Sequence, residues 1–578
     1  MHLTYQDYIY ANFLFRYANR RQMIYVGAND GMLHAFNGGF FNSTKNSFSL
    51  QHSTETPFAL GQEVWAYVPY NLLPHLHWLT EPTYQGQSHV SYIDLPPLVF
   101  DARIFFDATG APKDNSTYPD GWGTILVAGM RFGGGAIQVD MDKTDGKPFD
   151  NSTDRIMSSA YVIMDITNPE EAPRLLGEIT MPRQGFTTCT PTVVPMTKAN
   201  AKTAQENHWY LVFGSGPADA NGNANPKHIE DAVSNQNGQL YVLDLKALVA
   251  EKKIITLDAD GKFKEGGYTF ATTEPASFIS DPATVDWDLG GGNESGRFKT
   301  DAIYYGTVAG DIDHPKGAIY RMVTKNQMPP FRGGTVDWIG NATLIRTNQP
   351  IVALPSAAKD DTGRAWVYFG TGRLFNRSDI KAKQGKMAAY GIREPIDPIS
   401  KAFLWKEVKM RDLFNSTKVT VKKGSCVDGA YSPNCIQLEG ISSWEALLEA
   451  VASGDGWYHS MERPMERILG RPATTGGAVI FTAYTPSEDL CQHEGESHVW
   501  GFYYKTGTPY YFPIFQDTST IFRKSVPLGR GLGSIPVVHK GEDGKSEIII
   551  NSSTGTTGKI TIREPHPVRT GQIFWREN

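Results

Sequence analysis

A weak internal repeat constrains the fold of this chain more than any other feature of its sequence. Each copy has a strand-like segment of β-branched and aromatic residues, a turn of Gly or other small residues, and a second apolar segment. The seven copies are Ile24–Phe36, Ile125–Val139, Tyr210–Leu245, Ala302–Met322, Trp366–Ile392, Val479–Tyr503 and Glu547–Arg563. They begin about 60 to 110 residues apart, so each unit must also contain long insertions.

Seven such units predict a ring of β-sheets. A four-stranded sheet cannot bury both of its faces alone, but sheets stacked around an axis bury each other's faces. The Gly residues after the aromatic segments indicate places near the axis where backbones crowd. The repeat therefore predicts a closed seven-bladed β-propeller with the paired segments as the inner strands of successive blades. An open β-solenoid and two β-sandwiches are the alternatives.

Composition supports a mostly β fold over the three or four domains that a length of 578 residues would otherwise favour. The chain has 57 Gly, 35 Pro and 12% aromatic residues, which is typical of many short strands joined by turns. One stretch predicts a helix. There Ser443 is a candidate N-cap, and Trp444, Leu447, Leu448 and Val451 recur at helical spacing.

Charge and hydropathy disfavour several classes of partner. The net charge is −6 and the pI is about 6.2, and basic residues form no long run, so binding to nucleic acid is not expected. No apolar run approaches the roughly 18 residues of a membrane-spanning helix. The first residues lack the pattern of a signal peptide. The segment His493–His498 (HEGESH) has its histidines five residues apart, which does not suit the zinc protease helix.

The four cysteines are Cys189, Cys426, Cys435 and Cys491. Cys426 and Cys435 enclose a polar loop whose Gly, Pro and Asn favour tight turns, so we predict a local disulfide between them. Two unpaired thiols are the alternative. The chain has no CxxC pair, which leaves a zinc ribbon without support.

Several longer motifs resemble one protein family. They begin with Tyr25–Asn37 (YVGANDGMLHAFN), Glu63–Leu76 (EVWAYVPYNLLPHL) and His89–Asp101 (HVSYIDLPPLVFD). Further along come GGGAIQVD, YFGTGRLF, ERILGRPATTGG and the terminal FWRE, in the same order as in the family. Between about residue 19 and residue 577, the chain is similar to the C-terminal propeller of the PilY/PilC proteins of type IV pili.

The resemblance implies a modified, quinoprotein-like seven-bladed propeller as a single domain over residues 1–578. It also implies that the von Willebrand A-like region, which precedes the propeller in the family, is absent here, and this would explain the missing signal peptide. The implied protein is exported through the periplasm to the cell surface and acts at the pilus tip with minor pilins. It would support pilus assembly, oppose retraction and attach to host or abiotic surfaces, without enzymatic activity.

The family also has a calcium loop of closely spaced Asp and Asn residues before its fourth axial strand. By resemblance, the candidate ligands here are Asp286, Asp288, Asn293, Glu294 and Asp301. Ca²⁺ takes six to eight oxygens, so backbone carbonyls of the Gly-rich stretch would complete the site. The chain departs from the family by an insertion at residues 290–297. A solvated acidic turn is the alternative.

Two other functions remain open from the sequence. Quinone-dependent dehydrogenases share this type of propeller, but they hold the cofactor against a pair of adjacent cysteines, and this chain has none. A purely structural propeller that carries an attached domain is the second alternative. The sequence favours a binding and assembly module over both.

Overall fold

The computed structural model describes most of the chain. The described residues are 8–42, 44–84, 88–107, 109–141, 154–196, 208–251, 267–287, 300–311, 313–324, 339–376, 378–381, 385–400, 402–423, 435–487, 495–516, 519–541 and 545–566. They form seven sheets of three to five strands, here called blades 1 to 7, and two separate two-stranded hairpins. The prediction of a mostly β, seven-bladed propeller is confirmed.

The first four blades take up the N-terminal part of the chain. Blade 1 contains β1 (Gln22–Gly27), β2 (Leu33–Asn42), β3 (Ser47–Ser49) and β4 (Glu63–Tyr67). Blade 2 contains β5 (Leu98–Arg103), β6 (Trp122–Gly129), β9 (Tyr161–Asp165) and β10 (Arg174–Ile179), and it carries the hairpin of β7 (Ile137–Val139) and β8 (Arg155–Met157). Blade 3 contains β11 (Thr192–Met196), β12 (His208–Gly214), β13 (Gln239–Asp244) and β14 (Gly267–Ala271). Blade 4 contains β15 (Ser277–Ile279), β16 (Ala283–Val285), β17 (Ala302–Ala309), β18 (Gly317–Val323) and β19 (Ile339–Thr347).

The last three blades follow. Blade 5 contains β20 (Ser356–Lys359), β21 (Ala365–Gly370), β22 (Ala388–Arg393), β23 (Phe414–Asn415) and β26 (Gly456–Ser460), with the hairpin of β24 (Thr420–Val421) and β25 (Ile436–Gln437). Blade 6 contains β27 (Arg467–Ile468), β28 (Ala473–Thr475), β29 (Ala478–Thr485), β30 (Glu496–Tyr503) and β31 (Ser525–Arg530). Blade 7 contains β32 (Val537–Lys540), β33 (Ser546–Asn551) and β34 (Thr557–Ile562). The helices are α1 (Tyr8–Arg16), α2 (Lys227–Asp231), α3 (Leu245–Glu251), α4 (Ser378–Lys381) and α5 (Trp444–Ala452), and short 3-10 helices span Tyr70–Thr80, Pro119–Gly121 and Met410–Asp412.

Six of the seven repeat copies are antiparallel strand pairs, as predicted. The copy Ile125–Val139 is wrong in its second half, because β6 pairs with β9 and β7 pairs with β8 instead. The chain leaves the sheet just after β6, where Arg131 and Gly134 have φ angles of 54° and 71°. A bridge between Arg131 and Thr187 then holds this departing segment against the start of blade 3.

The predicted position of the repeat strands within a blade is also corrected. In blades 3 to 7 they follow the short strands that line the axis, and in blade 1 they are the first two described strands, β1 and β2. First strands of neighbouring blades contact one another, as β11 does with β16, β20 with β28, and β28 with β32. The second and third strands are instead sandwiched between blades, which explains why their segments are apolar on both faces.

In each of blades 2 to 7, a strand that lines the axis begins directly after a proline, and in blades 4 and 6 this strand is β16 and β28. These prolines are Pro97, Pro191, Pro282, Pro355, Pro472 and Pro536. Proline has no N–H for a strand ladder, so it is tolerated at the start of a strand and on an edge strand, and here it directly precedes a strand at the edge of its sheet. The proline also biases the preceding residue toward an extended backbone. It therefore sets the direction in which each innermost strand starts.

A Gly within or at the end of β1, β12, β17 and β21 accommodates an Ile from the next blade. The pairs are Gly27 with Ile93, Gly214 with Ile279, Gly306 with Ile351, and Gly370 with Ile468. A Cβ on any of these glycines would lie 2.2 to 2.6 Å from the side chain of its Ile, closer than carbon atoms can approach. The predicted crowding at these glycines is real, and its cause is a side chain of the neighbouring blade.

Apolar clusters join each blade to the next from blade 1 to blade 7. Among the described residues, no cluster combines residues of blade 7 with residues of blade 1. Ile24 and Val26 on β1 are 57% and 43% exposed, and Val537 on β32 is 56% exposed. Closure of the ring between these two blades stays a prediction.

The predicted helix around Ser443 is confirmed as α5. The hydroxyl of Ser443 accepts a hydrogen bond from the N–H of Ala446 at 3.1 Å, which caps the first turn. Trp444, Leu447 and Val451 are buried on one face of the helix. The helix therefore packs its apolar side onto the propeller in the long insertion of blade 5.

Candidate functional site

The two ends of the propeller differ in what they carry. Because neighbouring strands are antiparallel, the connections between first and second strands lie at one end, here called the lower face. The connections between second and third strands, and the segments that join successive blades, lie at the other end, the upper face. The acidic loop predicted to bind calcium joins β16 and β17 of blade 4, and its described ends, at Asp286 and Asp301, therefore lie on the lower face.

The structure brings the two ends of this acidic loop together. Val285 and Ala302 are partners at the end of the β16–β17 pair, and the N–H of Asp301 donates to the carbonyl of Val285 at 2.9 Å. Asp286 and Asp301 therefore flank the base of the loop. Asp286 is exposed, whereas Asp301 is only 2% exposed.

The carboxylate of Asp301 anchors a buried hydrogen-bonded chain. It accepts the backbone N–H of Trp287 at 2.6 Å, and the indole N–H of Trp287 donates to the hydroxyl of Tyr304 at 2.9 Å. Tyr304 in turn donates to Glu394 at 2.7 Å, and Glu394 forms a buried ion pair with Arg321. Burial raises the pKa of Tyr304 and lowers that of the Arg321 guanidinium. This chain ties the loop of blade 4 to blade 5.

The described residues supply only part of a calcium site. Asp288, Asn293 and Glu294 lie outside the described residues, so their predicted role is not tested. Within the described part of the chain, His, Cys, Asp and Glu form no group of three or more that could hold a metal ion. Asp301 uses one carboxylate oxygen to accept the N–H of Trp287. Calcium at this loop stays a prediction.

The cysteines agree with the predicted disulfide as far as they are described. Cys435 is disulfide-bonded, and Cys189 is free and buried. Cys426 lies outside the described residues, so the pairing itself stays a prediction. Val421 of β24 pairs with Ile436 of β25, which closes the base of the loop that contains both cysteines.

The centre of the upper face holds a group of side chains that the sequence reasoning missed. This central plug consists of Phe132, Phe186, Ala224, Ile229, Ala232 and Phe375. Phe132 belongs to blade 2 and Phe375 to blade 5, yet their ring centroids lie 5.9 Å apart. Blades 2 and 5 are not neighbours in the ring, so this contact crosses the axis.

Buried charges hold the plug in place. Arg373 and Asp379 form an ion pair at 2.7 Å with both side chains fully buried. Arg373 also donates to the carbonyl of Ala232 at 3.1 Å, at the end of α2 in blade 3. Arg467 of blade 6 donates to the carbonyls of Arg373 and Asp379 at 2.8 and 2.9 Å. Three blades are thereby connected at the axis through groups that are hydrogen-bonded to each other.

The sequence contained a signal for the plug. Arg373 and Phe375 lie in the motif YFGTGRLF, and Arg467 lies in ERILGRPATTGG. Both motifs carried the family resemblance, but their Arg residues had no assigned role. A charged residue that directly follows a buried strand and a Gly turn would have indicated an interaction near the axis.

Comparison with known proteins shows the family of this chain. The family model of the PilY1 beta-propeller domain matches residues 4–397. The chain belongs to this family. The resemblance inferred from the motifs is therefore confirmed.

Curated relatives extend the match to almost the whole chain. The type IV pilus biogenesis factor PilY1 of Pseudomonas aeruginosa (strain UCBPP-PA14) is 24% identical over 609 residues, which cover 96% of this chain and 43% of the relative. A PilY1 homolog of Xylella fastidiosa (strain Temecula1 / ATCC 700964) is 23% identical over 503 residues, which cover 85% of this chain and 30% of the relative. The chain thus spans less than half the length of these relatives. The extracellular domains 1–2 of Drosophila Semaphorin 1a align with a TM-score of 0.30 and 8% identity, over 96% of this chain and 88% of theirs, which is too distant to support an argument.

Proposed function

We propose that the protein is a type IV pilus biogenesis factor. The observation that carries this proposal is membership of the PilY1 propeller family, together with relatives of that name that match 96% and 98% of this chain. Those relatives are more than twice as long as the chain, so their complete activity can also depend on regions outside this propeller. The propeller would serve as the part that binds other pilus components.

The finer proposal places the protein on the cell surface, at the pilus tip, with minor pilins as partners and host or abiotic surfaces as targets. One feature supports an exported location. Cys435 is disulfide-bonded, which suits an oxidising compartment. Among the described residues, no helix is long and apolar enough to cross a membrane.

The packing at the axis of this propeller favours a binding role without catalytic turnover. In the described structure, Phe rings fill the upper end of the axis, and the charged groups there are engaged with each other. Such an arrangement stabilises a rigid platform. Addition of a quinone cofactor to the purified protein should therefore produce no alcohol oxidation.

Deletion of the region that encodes this propeller tests the biogenesis role. We expect the deletion strain to lose surface pili and attachment while pilus retraction is active, as measured by sheared pilin and by adherent cells. Removal of the retraction machinery from the same strain separates the two proposed actions. Pili that return would indicate that the propeller opposes retraction, and pili that stay absent would indicate a role in assembly. Normal piliation and attachment in the deletion strain would contradict the proposal.

We further propose that the loop between Asp286 and Asp301 binds Ca²⁺ and that the ion fastens the loop to β17. A ligand that binds only the native state stabilises it by about 2.7 kcal/mol at a hundredfold excess over Kd. Asp286→Ala should remove the rise in melting temperature that Ca²⁺ produces. Asp313→Ala, an exposed carboxylate at the opposite end of blade 4, should keep it. An unchanged calcium response in Asp286→Ala would place any calcium site elsewhere.

A further inference from the structure

A cleft of about 370 Å³ lies at the outer rim of the propeller, between blades 1 and 2. Its walls come from the 3-10 helix Tyr70–Thr80, from β8 and from β10. The helix contacts β8, and the side-chain oxygen of Asn71 accepts the N–H of Ser158 at 3.4 Å. The β7–β8 hairpin therefore stands beside the sheet of blade 2 and forms one side of the cleft.

Three apolar side chains of the cleft are left uncovered by the described chain. Ile156 on β8 is 61% exposed, Leu175 on β10 is 45% exposed, and Tyr70 is 40% exposed. Single exposed apolar residues are common, but three that converge on one concave site indicate a binding surface. An apolar side chain of a partner would bury these groups together.

Charge in the cleft is asymmetric. The carboxylate of Glu178 accepts the hydroxyl of Tyr67 at 2.7 Å, the N–H of Tyr70 at 2.6 Å, and two N–H groups of Asn71 at 3.1 and 2.8 Å. Both carboxylate oxygens of Glu178 are thus already hydrogen-bonded to groups of the chain itself. The guanidinium of Arg155, by contrast, is exposed and makes no ion pair or side-chain hydrogen bond within the described part of the chain. Arg155 is therefore the charged group of the cleft that a partner can pair with.

Two strand edges border the same cleft. Within the described residues, β8 pairs only with β7, and β10 pairs only with β9. The other edge of each strand has backbone groups that an extended peptide can pair with, as in recognition by strand addition. Exposed apolar side chains, an unpaired cation and unpaired strand edges thus occur together at one place on the rim.

We propose that this cleft binds an extended segment of a partner protein, which presents an apolar side chain beside an acidic one. The segment adds a strand to β8 or β10, places its apolar side chain against Ile156 and Leu175, and pairs its carboxylate with Arg155. A nucleic acid strand does not fit this site, because one guanidinium cannot neutralise a run of phosphates. The inference goes beyond the pilus role and stands whether or not the partner is a pilus subunit.

A labelled peptide tests the inference on the purified full chain. The probe is a fluorescein-labelled nonapeptide of alternating Thr and Val, with Leu at its centre and Asp beside the Leu. Its fluorescence anisotropy should rise and saturate as protein is added. We expect binding to weaken about fivefold in Arg155→Glu and about tenfold in Leu175→Asp. Arg530→Glu, an exposed Arg on the outer strand of blade 6, is the matched control and should bind as the wild type does.

A charge swap keeps the test decisive if a variant alters the fold. A second probe with Lys in place of Asp should bind Arg155→Glu more tightly than it binds the wild type. Hydrogen exchange should slow in β8 or β10 when the first probe is bound. Absence of saturable binding, equal affinity of both probes for both proteins, or protection at another site would overturn the inference. Dimerisation that Arg155→Glu abolishes would assign the cleft to a second copy of this chain and would overturn it as well.

Discussion

The axis and the rim of this propeller differ in how far their apolar and charged side chains are buried. At the axis, Gly370 accommodates Ile468 of the next blade so closely that no side chain fits, and the ion pair of Arg373 and Asp379 is fully buried. At the rim, the cleft between blades 1 and 2 keeps Ile156 and the charge of Arg155 open to solvent. The contrast suggests a division of work, in which the axis fixes the arrangement of blades and the rim remains available to partners.

The largest expected effect comes from the buried charge at the axis. Asp379→Ala should lower the free energy of unfolding by about 4 kcal/mol, because Arg373 would remain buried without its counter-ion. Chemical denaturation monitored by Trp fluorescence measures this. The matched control is Asp361→Ala, which removes an ion pair between a 47% exposed carboxylate and Lys505 and should cost less than about 1 kcal/mol. Equal losses of unfolding free energy in the two variants would mean that the ion pair of the plug stabilises the protein no more than a surface ion pair does.

A glycine at the axis should be far less replaceable than one at the rim. Gly370→Val should destabilise the protein by about 3 kcal/mol, because its Cβ would lie 2.2 Å from the side chain of Ile468. Gly177 in β10 is the control, since a Cβ there has its nearest neighbour at 3.6 Å, and Gly177→Ala should change stability by less than about 0.5 kcal/mol. Adding Ile468→Ala to Gly370→Val should recover part of the loss. A loss that the second substitution does not relieve would mean that the two side chains are not in conflict.

The fold could be predicted from the sequence to a considerable extent, because strand pairs connected by short turns leave a local pattern. Six repeat copies and α5 followed directly from that pattern. The partner of β6 could not, because the insertion that carries β7 and β8 separates it from β9, and either apolar segment suited β6 equally well. The prolines before the first strands gave a further periodic signal that the sequence reasoning did not use.

The candidate site was less predictable for a physical reason. The plug forms between segments that are far apart in the sequence, since Phe132 and Phe375 meet only because the ring closes blades 2 to 5 around them. No local spacing reports such a contact. The acidic loop was visible as a cluster in the sequence, but the buried role of Asp301 depends on Trp287, which the sequence reasoning did not consider.

The smallest expected effect is a pH dependence at the upper end of the axis, from the carboxyl group of Asp281. Burial raises the pKa of Asp281 to about 6, while the hydrogen bonds from Thr190 and the charge of Arg131 act in the opposite direction. Its ordinary pKa is 3.8, so between pH 4 and 6 the folded protein keeps a proton that the unfolded chain releases. Stability from this group is therefore greatest below pH 4 and is lost as the pH rises through 6.

Asp281→Asn isolates that contribution, because an amide stays neutral throughout. We expect the variant to gain about 1 kcal/mol relative to the wild type as the pH rises from 4 to 6, a value reduced because the side chain is partly exposed to solvent. The difference should then stay constant above pH 7. Denaturation midpoints at pH 4, 5, 6 and 7 provide the comparison, with Asp313→Asn as an exposed control on blade 4 that should follow the wild type. If the difference in stability between the wild type and Asp281→Asn did not change from pH 4 to pH 7, the charged carboxylate would carry no penalty for burial. Solvent would then reach the upper end of the axis as freely as it reaches the rim.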